Sequence, residues 1–266
     1  LMHDIPFCTI PGTRRQLLCD LWQPAENVTS SGLAFIYFHG SAWCVLDKDF
    51  GTRTFFRHLV SQGHVIMDVA YRLFPETDMT GMVNDVYRAI AWMKTNSSVY
   101  GVNPRNIVIG GGSAGAHLSL LAAYNKTPRL IPEELRDRDL TVSAVISLYG
   151  PTDLKAVYYH TCQHITTRER DGRTKKAESM SMPKWVRKMM GDNFRRLGMD
   201  IGGTDPGNLS VIMGCHPDEC PEVYTSFSPI TYVHSGCPPT LIIQGEHDLI
   251  TSEDSVRHLY KLLTEA

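Results

Sequence analysis

A serine flanked by glycines is the feature of the sequence with the clearest chemical potential. Residues 111–115 read G-x-S-x-G with Ser113 at the centre, between an apolar run at 106–110 and a predicted helix at 114–124. A serine at a tight strand-to-helix turn adopts a strained backbone conformation that only small neighbours tolerate, and its hydroxyl projects from the turn. We therefore predict that Ser113 is a nucleophile for acyl transfer. The alternative is a G-x-G-x-x-G phosphate-binding loop at 110–115.

A second segment has the composition that acyl transfer needs. Residues 39–43 read His-Gly-Ser-Ala-Trp and directly follow another apolar run. Backbone amides in a glycine-containing loop can donate to the oxyanion of a tetrahedral intermediate. We predict that the amides of Gly40 and Ser41 form this oxyanion hole together with the amide of Ala114, the residue after the nucleophile. His39 is predicted to orient the loop by hydrogen bonds, with a role as the base left open.

With these two elements in place, the chain resembles the hormone-sensitive-lipase-like branch of the α/β-hydrolase fold, which includes small esterases and feruloyl-esterase-like and arylformamidase-like members. The matching segments cover parts of 30–150 and 225–266. They are His39 to Trp43, Tyr71 to Glu76 (the family's Y-R-L-x-P-E), Ser113 to Leu118, Ser228 to Ile230 and Gly245 to Asp248. Ser41 stands where the family usually has glycine, and its side chain is a candidate for crowding the acyl pocket.

The resemblance implies that Asp248 is the acid of a catalytic triad. A carboxylate beyond the carboxyl end of a parallel strand also lies where open α/β sheets place their sites. Its role would be to hold the catalytic imidazole in one tautomer and to stabilise its cation. Two alternatives remain: Asp248 as a helix cap before Ser252, and Asp153 as the acid.

The histidine of the triad is not identifiable. In this fold the order along the chain is serine, acid, histidine, and the resemblance places the histidine in a loop beyond one more strand. The simplest expectation is that the chain continues past Ala266 and that the base lies there. The histidines left open within the sequence are His117, His160, His164, His216, His247 and His258.

Alternating strands and helices must position these residues. The predicted strands are 17–22, 33–39, 64–70, 106–110, 142–149 and 240–244, and the predicted helices are 49–62, 82–95, 114–124 and 252–264. This alternation predicts an α/β class with a mostly parallel central sheet and helices on both faces. Together with the resemblance it predicts an α/β-hydrolase fold.

The alternation stops after residue 150 and resumes near 226. We predict a hydrolase core at 1–150 and 226–266, lacking its last strand and helix, and an inserted cap at 151–225. Within the cap, the charged segment 166–176 is predicted to be a solvated loop and 184–197 an amphipathic stretch.

Composition excludes several function classes. The 266 residues carry 26 basic and 28 acidic side chains, a formal charge of −2, which argues against a nucleic-acid partner. The longest strongly apolar runs cover about six residues, and a bilayer requires about 20, so no membrane span is predicted. Seven cysteines cannot all pair, which favours a reducing, cytoplasmic compartment, although four N-x-S/T sequons leave secretion open. No paired ligand motif is present, so neither a metal nor a cofactor is predicted.

The hypothesis is a serine hydrolase that cleaves small or aromatic carboxylic esters through an acyl-enzyme. Its partner is then a small-molecule ester, and the oligomeric state is left open. One alternative is a ligand-binding protein on a hydrolase scaffold that has lost its histidine. The other is an amide hydrolase of the arylformamidase type.

Overall fold

The structure, a computed structural model, describes residues 1–170 and 207–266, with the side chains of 1–163 and 209–266. The strands are β1 (Met2–Thr9), β2 (Gln16–Trp22), β3 (Ala34–Phe38), β4 (Val65–Ala70), β5 (Ile107–Gly112), β6 (Ala144–Leu148) and β7 (Thr240–Ile243). The helices are α1 (Arg53–Ser61), α2 (Met79–Thr95), α3 (Ala114–Tyr124), α4 (Leu154–Arg170), α5 (Gly207–Met213), α6 (Pro221–Ser226) and α7 (Glu253–Glu265).

The seven described strands form one sheet in the order β1-β2-β4-β3-β5-β6-β7. β1, β2 and β4 pair antiparallel, and every pair from β4 to β7 is parallel. All five residues of β3 are buried, as expected of a parallel strand covered on both faces. The predicted mostly parallel sheet is therefore observed.

Two clusters of apolar side chains hold helices on opposite faces of the sheet. The larger cluster joins α2, α3 and the buried side of α7 to one face. The smaller lies on the other face, where Phe56 of α1 packs against Tyr37 and Trp22 at ring-centroid distances of 5.2 and 5.8 Å. Burial of such rings contributes about 2 to 3 kcal/mol each, so these contacts stabilise the position of α1.

The sequence patterns placed most elements within a few residues of their observed ends. The strand β1 was not predicted, because it is a largely exposed edge strand whose pairing with β2 is broken by two register shifts. The helix predicted from residue 49 begins at Arg53, since Asp49 and Gly51 have positive φ angles of 67° and 73°. These angles are incompatible with a right-handed helix.

The region after residue 150 begins and ends in helices. α4 covers the start of the predicted cap, and α5 and α6 precede its end. The predicted amphipathic stretch 184–197 lies outside the described residues, as does most of the charged segment 166–176. Cys215 and Cys220 form a disulfide, which the expectation of reduced cysteines did not include.

The carboxyl ends of the parallel strands meet at one edge of the sheet, and the predicted site residues follow them there. The ladder continues to the last residues: the Ser113 amide donates to the Leu148 carbonyl at 2.9 Å, and the Tyr149 amide donates to the Ile243 carbonyl at 2.7 Å. The loops that follow β3, β5, β6 and β7 are thereby placed side by side.

A buried carboxyl on β4 leads to a testable prediction about stability. Asp68 lies opposite Asp20 of β2, and one of its carboxylate oxygens accepts from the Asp49 amide at 2.7 Å. Its other oxygen has no partner among the described residues. Burial raises the pKa of Asp68 from its ordinary 3.8 to about 7. Folding therefore becomes less favourable as the pH rises from about 4 to 7, because the folded state retains a proton that the unfolded chain releases.

Asp68→Asn removes this titration and is expected to stabilise the protein more at pH 8 than at pH 5. The difference between the two gains should be on the order of 3 kcal/mol. Urea unfolding of the wild type and the variant at both pH values measures it. Equal gains at pH 5 and pH 8 would show that this carboxyl titrates normally.

Among the residues that the structure describes, none covers one face of the sheet beyond α1. Leu241 and Ile243 of β7 point to this face and are 54% and 52% exposed. They line an apolar groove of about 330 Å³ together with Phe35, Leu59, Ile146 and Leu148. β7 is also the edge strand of the described sheet. Exposed apolar side chains on a parallel edge strand are unusual, because parallel sheets are normally covered on both faces.

Candidate active site

Ser113 occupies the turn between β5 and α3 in a conformation that few residues adopt. Its φ and ψ angles are 50° and −119°, and its side chain is half-buried. A Cβ on either Gly111 or Gly115 would overlap the carbonyl oxygen of Phe38, so both positions require glycine. The strained turn and the close approach of β3 are the two features that the G-x-S-x-G pattern predicts.

The loop after β3 lies directly against this turn. A Cβ built on Gly40 would be 3.6 Å from the Cβ of Ser113 and 3.2 Å from the carbonyl oxygen of Gly112. Among the residues that the structure describes, none accepts a hydrogen bond from the backbone amides of Gly40, Ser41 or Ala114. Ala114 is the first residue of α3, where the helix dipole adds to the attraction for negative charge. The amides of Gly40 and Ala114, unpaired within the described part of the chain, thus lie beside Ser113.

Side-chain hydrogen bonds hold this loop in place. The Tyr71 hydroxyl donates to the His39 carbonyl at 2.9 Å and accepts from the Ser41 hydroxyl at 2.6 Å. The Ser41 oxygen in turn accepts from the Trp43 amide at 2.9 Å. Ser41 is buried, and its hydroxyl is engaged by Tyr71 and by the Trp43 amide. The sequence made this side chain a candidate for crowding the acyl pocket, but the structure shows its hydroxyl bound to neighbouring residues instead.

His39 has the contacts of a residue that orients the loop. Its ring stacks on Tyr71 with centroids 4.6 Å apart, and its Nδ1 lies 3.3 Å from the Gly40 carbonyl. Burial lowers the pKa of His39 to about 4, so the ring is neutral at physiological pH.

His117 lies on α3, four residues after Ser113, and its ring is fully buried. Nδ1 accepts from the Trp43 indole N–H at 3.2 Å, and Nε2 lies 2.7 Å from the Phe227 carbonyl. Because both ring nitrogens are engaged, His117 has no lone pair available to take a proton from Ser113.

Asp248 lies in the loop after β7, two strands away from the Ser113 turn. Its carboxylate accepts from the Gln244 side chain at 3.1 Å and from the amides of Ile250 and Thr251 at 2.8 and 3.0 Å. These donors are amides and not an imidazole. The cap of α7 is Ser252, whose hydroxyl accepts from the Ser255 amide, so the capping alternative for Asp248 is wrong.

Asp153, the other candidate acid, is hydrogen-bonded to backbone amides of its own helix. Its carboxylate accepts from the amides of Lys155 and Ala156 at 2.9 and 3.1 Å, at the start of α4. An aspartate in this arrangement caps the helix.

The remaining candidate histidines have different surroundings. His160 of α4 bonds the Asp248 carbonyl through Nε2 at 2.8 Å, which ties α4 to the acid's loop. His216 contacts Tyr158 and lies 3.5 Å from the Asp218 carboxylate. His247 and His258 are exposed. The side chain of His164 lies outside the described residues.

Tyr149 is a residue of this edge that the sequence analysis missed. It follows β6 with a φ of 45°, and a Cβ on Gly112 would be 2.7 Å from its hydroxyl. Burial and the charge of Asp248 raise the pKa of Tyr149. The aromatic ring therefore lies between the Ser113 turn and the Asp248 loop. No local pattern marks it, because its position depends on the sheet order.

Arg72 also has a partner that the sequence did not indicate. Arg72 forms a bidentate pair with buried Asp85 of α2, with N···O distances of 2.7 and 2.8 Å. Glu76 pairs with Arg15 at 2.6 Å on the surface. Asp85 is the better partner because its buried charge needs compensation.

The described residues contain neither a metal-binding cluster nor a membrane-spanning helix. No group of three or more His, Cys, Asp or Glu side chains among them is arranged to hold a metal ion. No helix in the described part of the chain has the length and apolar character to cross a membrane. The cytoplasmic compartment stays a prediction.

Fold and site together define the class of protein: an α/β-hydrolase fold with a strained serine at the turn after β5. The chain belongs to the BD-FAE family, whose family model matches residues 19–194 and 194–263. The predicted membership of a hormone-sensitive-lipase-like or feruloyl-esterase-like family is thus confirmed.

Similar curated proteins come from Mycobacterium tuberculosis. Esterase LipQ is 26% identical over 99% of this chain and 52% of its own length. A probable carboxylic ester hydrolase, LipM, is 26% identical over 90% of this chain and 46% of its own length. The chain spans about half the length of the curated relatives it matches.

Solved structures share the fold. The butyrate-bound esterase Est2 of Thermogutta terrifontis matches 100% of this chain and 79% of its own, with a TM-score of 0.65 and 19% identity. A truncated carbohydrate esterase from gut microbiota matches 99% and 83%, with a TM-score of 0.66 and 19% identity. These likenesses confirm the predicted α/β-hydrolase fold.

Proposed function

We propose that the protein is a serine hydrolase that cleaves carboxylic esters through an acyl-enzyme. The observation that carries the proposal is the juxtaposition of Ser113, in its strained turn, with the loop of Gly40 and the unpaired amides around it. Membership of an esterase family and the esterase names of the relatives support the same reaction.

The proposed reaction uses these groups in sequence. The Ser113 hydroxyl attacks the acyl carbon, and a histidine accepts its proton. The amides of Gly40, Ser41 and Ala114 bind the oxyanion, and one such donor contributes about 3 to 4 kcal/mol to the transition state. The histidine then protonates the alcohol as the C–O bond breaks. Water repeats the cycle on the acyl-enzyme and releases the acid.

We assign the acid of the triad to Asp248. The Asp248 loop lies at the same edge of the sheet as Ser113, and the Tyr149 ring lies between the two.

The substrate class is proposed to be small or aromatic esters. The region 151–225 follows β6 and is tied to the acid's loop by the bond from His160 to the Asp248 carbonyl. The described start of this region is thus held beside the acid's loop, which supports a cap that limits the space for long acyl chains. The core at 1–150 and 226–266 then carries the chemistry, and the cap selects the substrate.

Labelling with a fluorophosphonate probe tests the reaction. The full-length protein is incubated with the probe, digested and mapped by mass spectrometry. We expect phosphonylation at Ser113 and none in a Ser113→Ala control. A folded full-length protein that never reacts would refute the proposal and favour the ligand-binding alternative.

Two substrates then separate ester from amide hydrolysis. Turnover of a short p-nitrophenyl ester is expected to exceed turnover of N-formylkynurenine, since the proposal assigns ester cleavage. The opposite order would identify an amide hydrolase of the arylformamidase type.

A further inference from the structure

A buried hydrogen-bond chain joins three separate parts of the site. It runs from the Trp43 indole, in the loop after β3, through the ring of His117 on α3 to the carbonyl of Phe227, just after α6. All three residues are buried, and the rings of Trp43 and His117 meet edge to face at 5.4 Å. These hydrogen bonds therefore connect the amide-bearing loop after β3 to the helix that follows Ser113 and to the segment after α6.

The direction of these two hydrogen bonds is determined by the groups at the ends, the Trp43 indole and the Phe227 carbonyl. An indole N–H can only donate, so Nδ1 of His117 must be unprotonated. A carbonyl oxygen can only accept, so Nε2 must carry the proton. Protonation of Nδ1 would place two N–H donors face to face within the core. Burial lowers the pKa of His117 to about 4, which keeps the ring in this neutral form.

The loop that His117 contacts needs support because its backbone is unfavourable. Ala42 and Trp43 have φ angles of 45° and 61°, which side-chain-bearing residues rarely adopt. Such a conformation persists only where the surrounding structure imposes it. Three bonds hold Trp43: its amide donates to the Ser41 oxygen, its carbonyl accepts from the Phe74 amide, and its indole donates to His117.

Only the last of these bonds reaches the element that carries the nucleophile. The bonds to Ser41 and Phe74 connect Trp43 only to the segments that follow β3 and β4. The bond to His117 fixes the loop relative to α3, and hence the amides of Gly40 and Ser41 relative to Ser113.

We propose that His117 is a positioning residue: its neutral ring, hydrogen-bonded to Trp43 and Phe227, holds the amide-bearing loop in a fixed position relative to Ser113. This rests on the proposed function of the same site. His117 does not touch the reacting atoms, so its contribution is to the acylation rate and not to substrate affinity.

Three variants test the proposal. Trp43→Phe removes the indole donor and keeps an aromatic ring, His117→Leu removes both bonds, and His117→Gln retains an amide that can accept and donate. For Trp43→Phe and His117→Leu we expect the rate constant of Ser113 phosphonylation to fall by roughly 10- to 100-fold, with little change in KM for an ester, because a small displacement of positioned groups has effects of this size. His117→Gln should recover part of the rate.

Tyr124→Phe is the matched control. Tyr124 lies on the same helix and bonds Thr240 through its hydroxyl at 2.8 Å, far from the loop. It is expected to lower thermal stability without lowering the phosphonylation rate. All rates are measured well below the unfolding temperature of each variant. If His117→Leu and Trp43→Phe lose stability but keep the wild-type rate, the role is structural only and the proposal is wrong.

Amide hydrogen exchange of peptides covering 39–45 gives a readout that needs no turnover. Exchange in this segment should rise in His117→Leu and stay at the wild-type level in Tyr124→Phe. Should the wild type fail to react with the probe while this rise is seen, the positioning by His117 stands and the proposed function falls. If exchange does not rise, the positioning is refuted whatever the activity.

Discussion

Ser113→Ala is expected to reduce kcat for a short p-nitrophenyl ester by roughly 10⁴- to 10⁶-fold, the range seen when the nucleophile of a serine hydrolase is removed. Alanine leaves the unpaired amides of Gly40, Ser41 and Ala114 in place, so a small residual rate over water is expected. Steady-state kinetics on the purified full-length proteins measures the ratio. A variant that retains a tenth of the activity would show that another group is the nucleophile.

We also expect the backbone conformation at Ser113 to lower the stability of the protein. Ser113 has a φ of 50° and a ψ of −119°, an unfavourable conformation for any residue with a Cβ. Ser113→Gly removes this strain, although glycine loses more entropy on folding. We expect Ser113→Gly to unfold at a higher urea concentration than Ser113→Ala. The free energy of unfolding of the two variants should differ by on the order of 1 kcal/mol. Equal midpoints would show that the turn is not strained.

Gly111→Ala is expected to have the largest effect on folding. The new methyl group would overlap the carbonyl oxygen of Phe38 and approach the backbone of Gly115. β3 cannot move aside, because it pairs with β4 on one edge and β5 on the other. Overpacking of this kind against fixed backbone costs about 3 kcal/mol or more. We expect little soluble protein, or a urea midpoint far below that of the wild type.

Gly245→Ala provides the control for adding a methyl group. A Cβ at Gly245 would meet no atom within 4 Å, and its φ is not in the left-handed region. Its unfolding free energy should remain within about 0.5 kcal/mol of the wild-type value. Similar stability of the Gly111→Ala and Gly245→Ala variants would contradict the close approach of β3 to the Ser113 turn.

Glycine at 111 and 115 therefore has a consequence for the site as well as for the fold. The carbonyl that both glycines accommodate belongs to Phe38, the residue immediately before His39 and Gly40. The strand that leads to the amide-bearing loop is thus packed against the turn that carries Ser113. Their relative position is set mainly by backbone contact, and the His117 chain adds a side-chain connection.

The elements and the nucleophile turn were predictable because their causes are local. Alternating apolar runs and amphipathic helices follow from periodicity over a few residues, and α3 begins and ends where predicted. The turn at Ser113 follows from the steric demands of a strand-to-helix bend. The position of Gly40 beside Ser113 was also expected, since the loop at 39–43 was predicted to form the oxyanion hole with Ala114.

Other features depended on partners distant in the sequence. Arg72 pairs with Asp85, because α2 turns Asp85 into the core where its charge must be compensated. Tyr149 reaches Gly112 only because β6 is the neighbour of β5. The edge strand β1 has no periodic pattern and is recognisable only from its pairing with β2.

The sequence by itself determined which residues have the chemistry and which short segments bend, because sterics and periodicity act between near neighbours. Only the tertiary structure decided what His117 does. His117 is four residues from Ser113 along the chain, yet packing of the loop after β3 and the segment after α6 against α3 engages both of its nitrogens. Hydrogen-bond partners in a core are chosen by the packing of whole elements, and that information is not present in any local stretch of sequence.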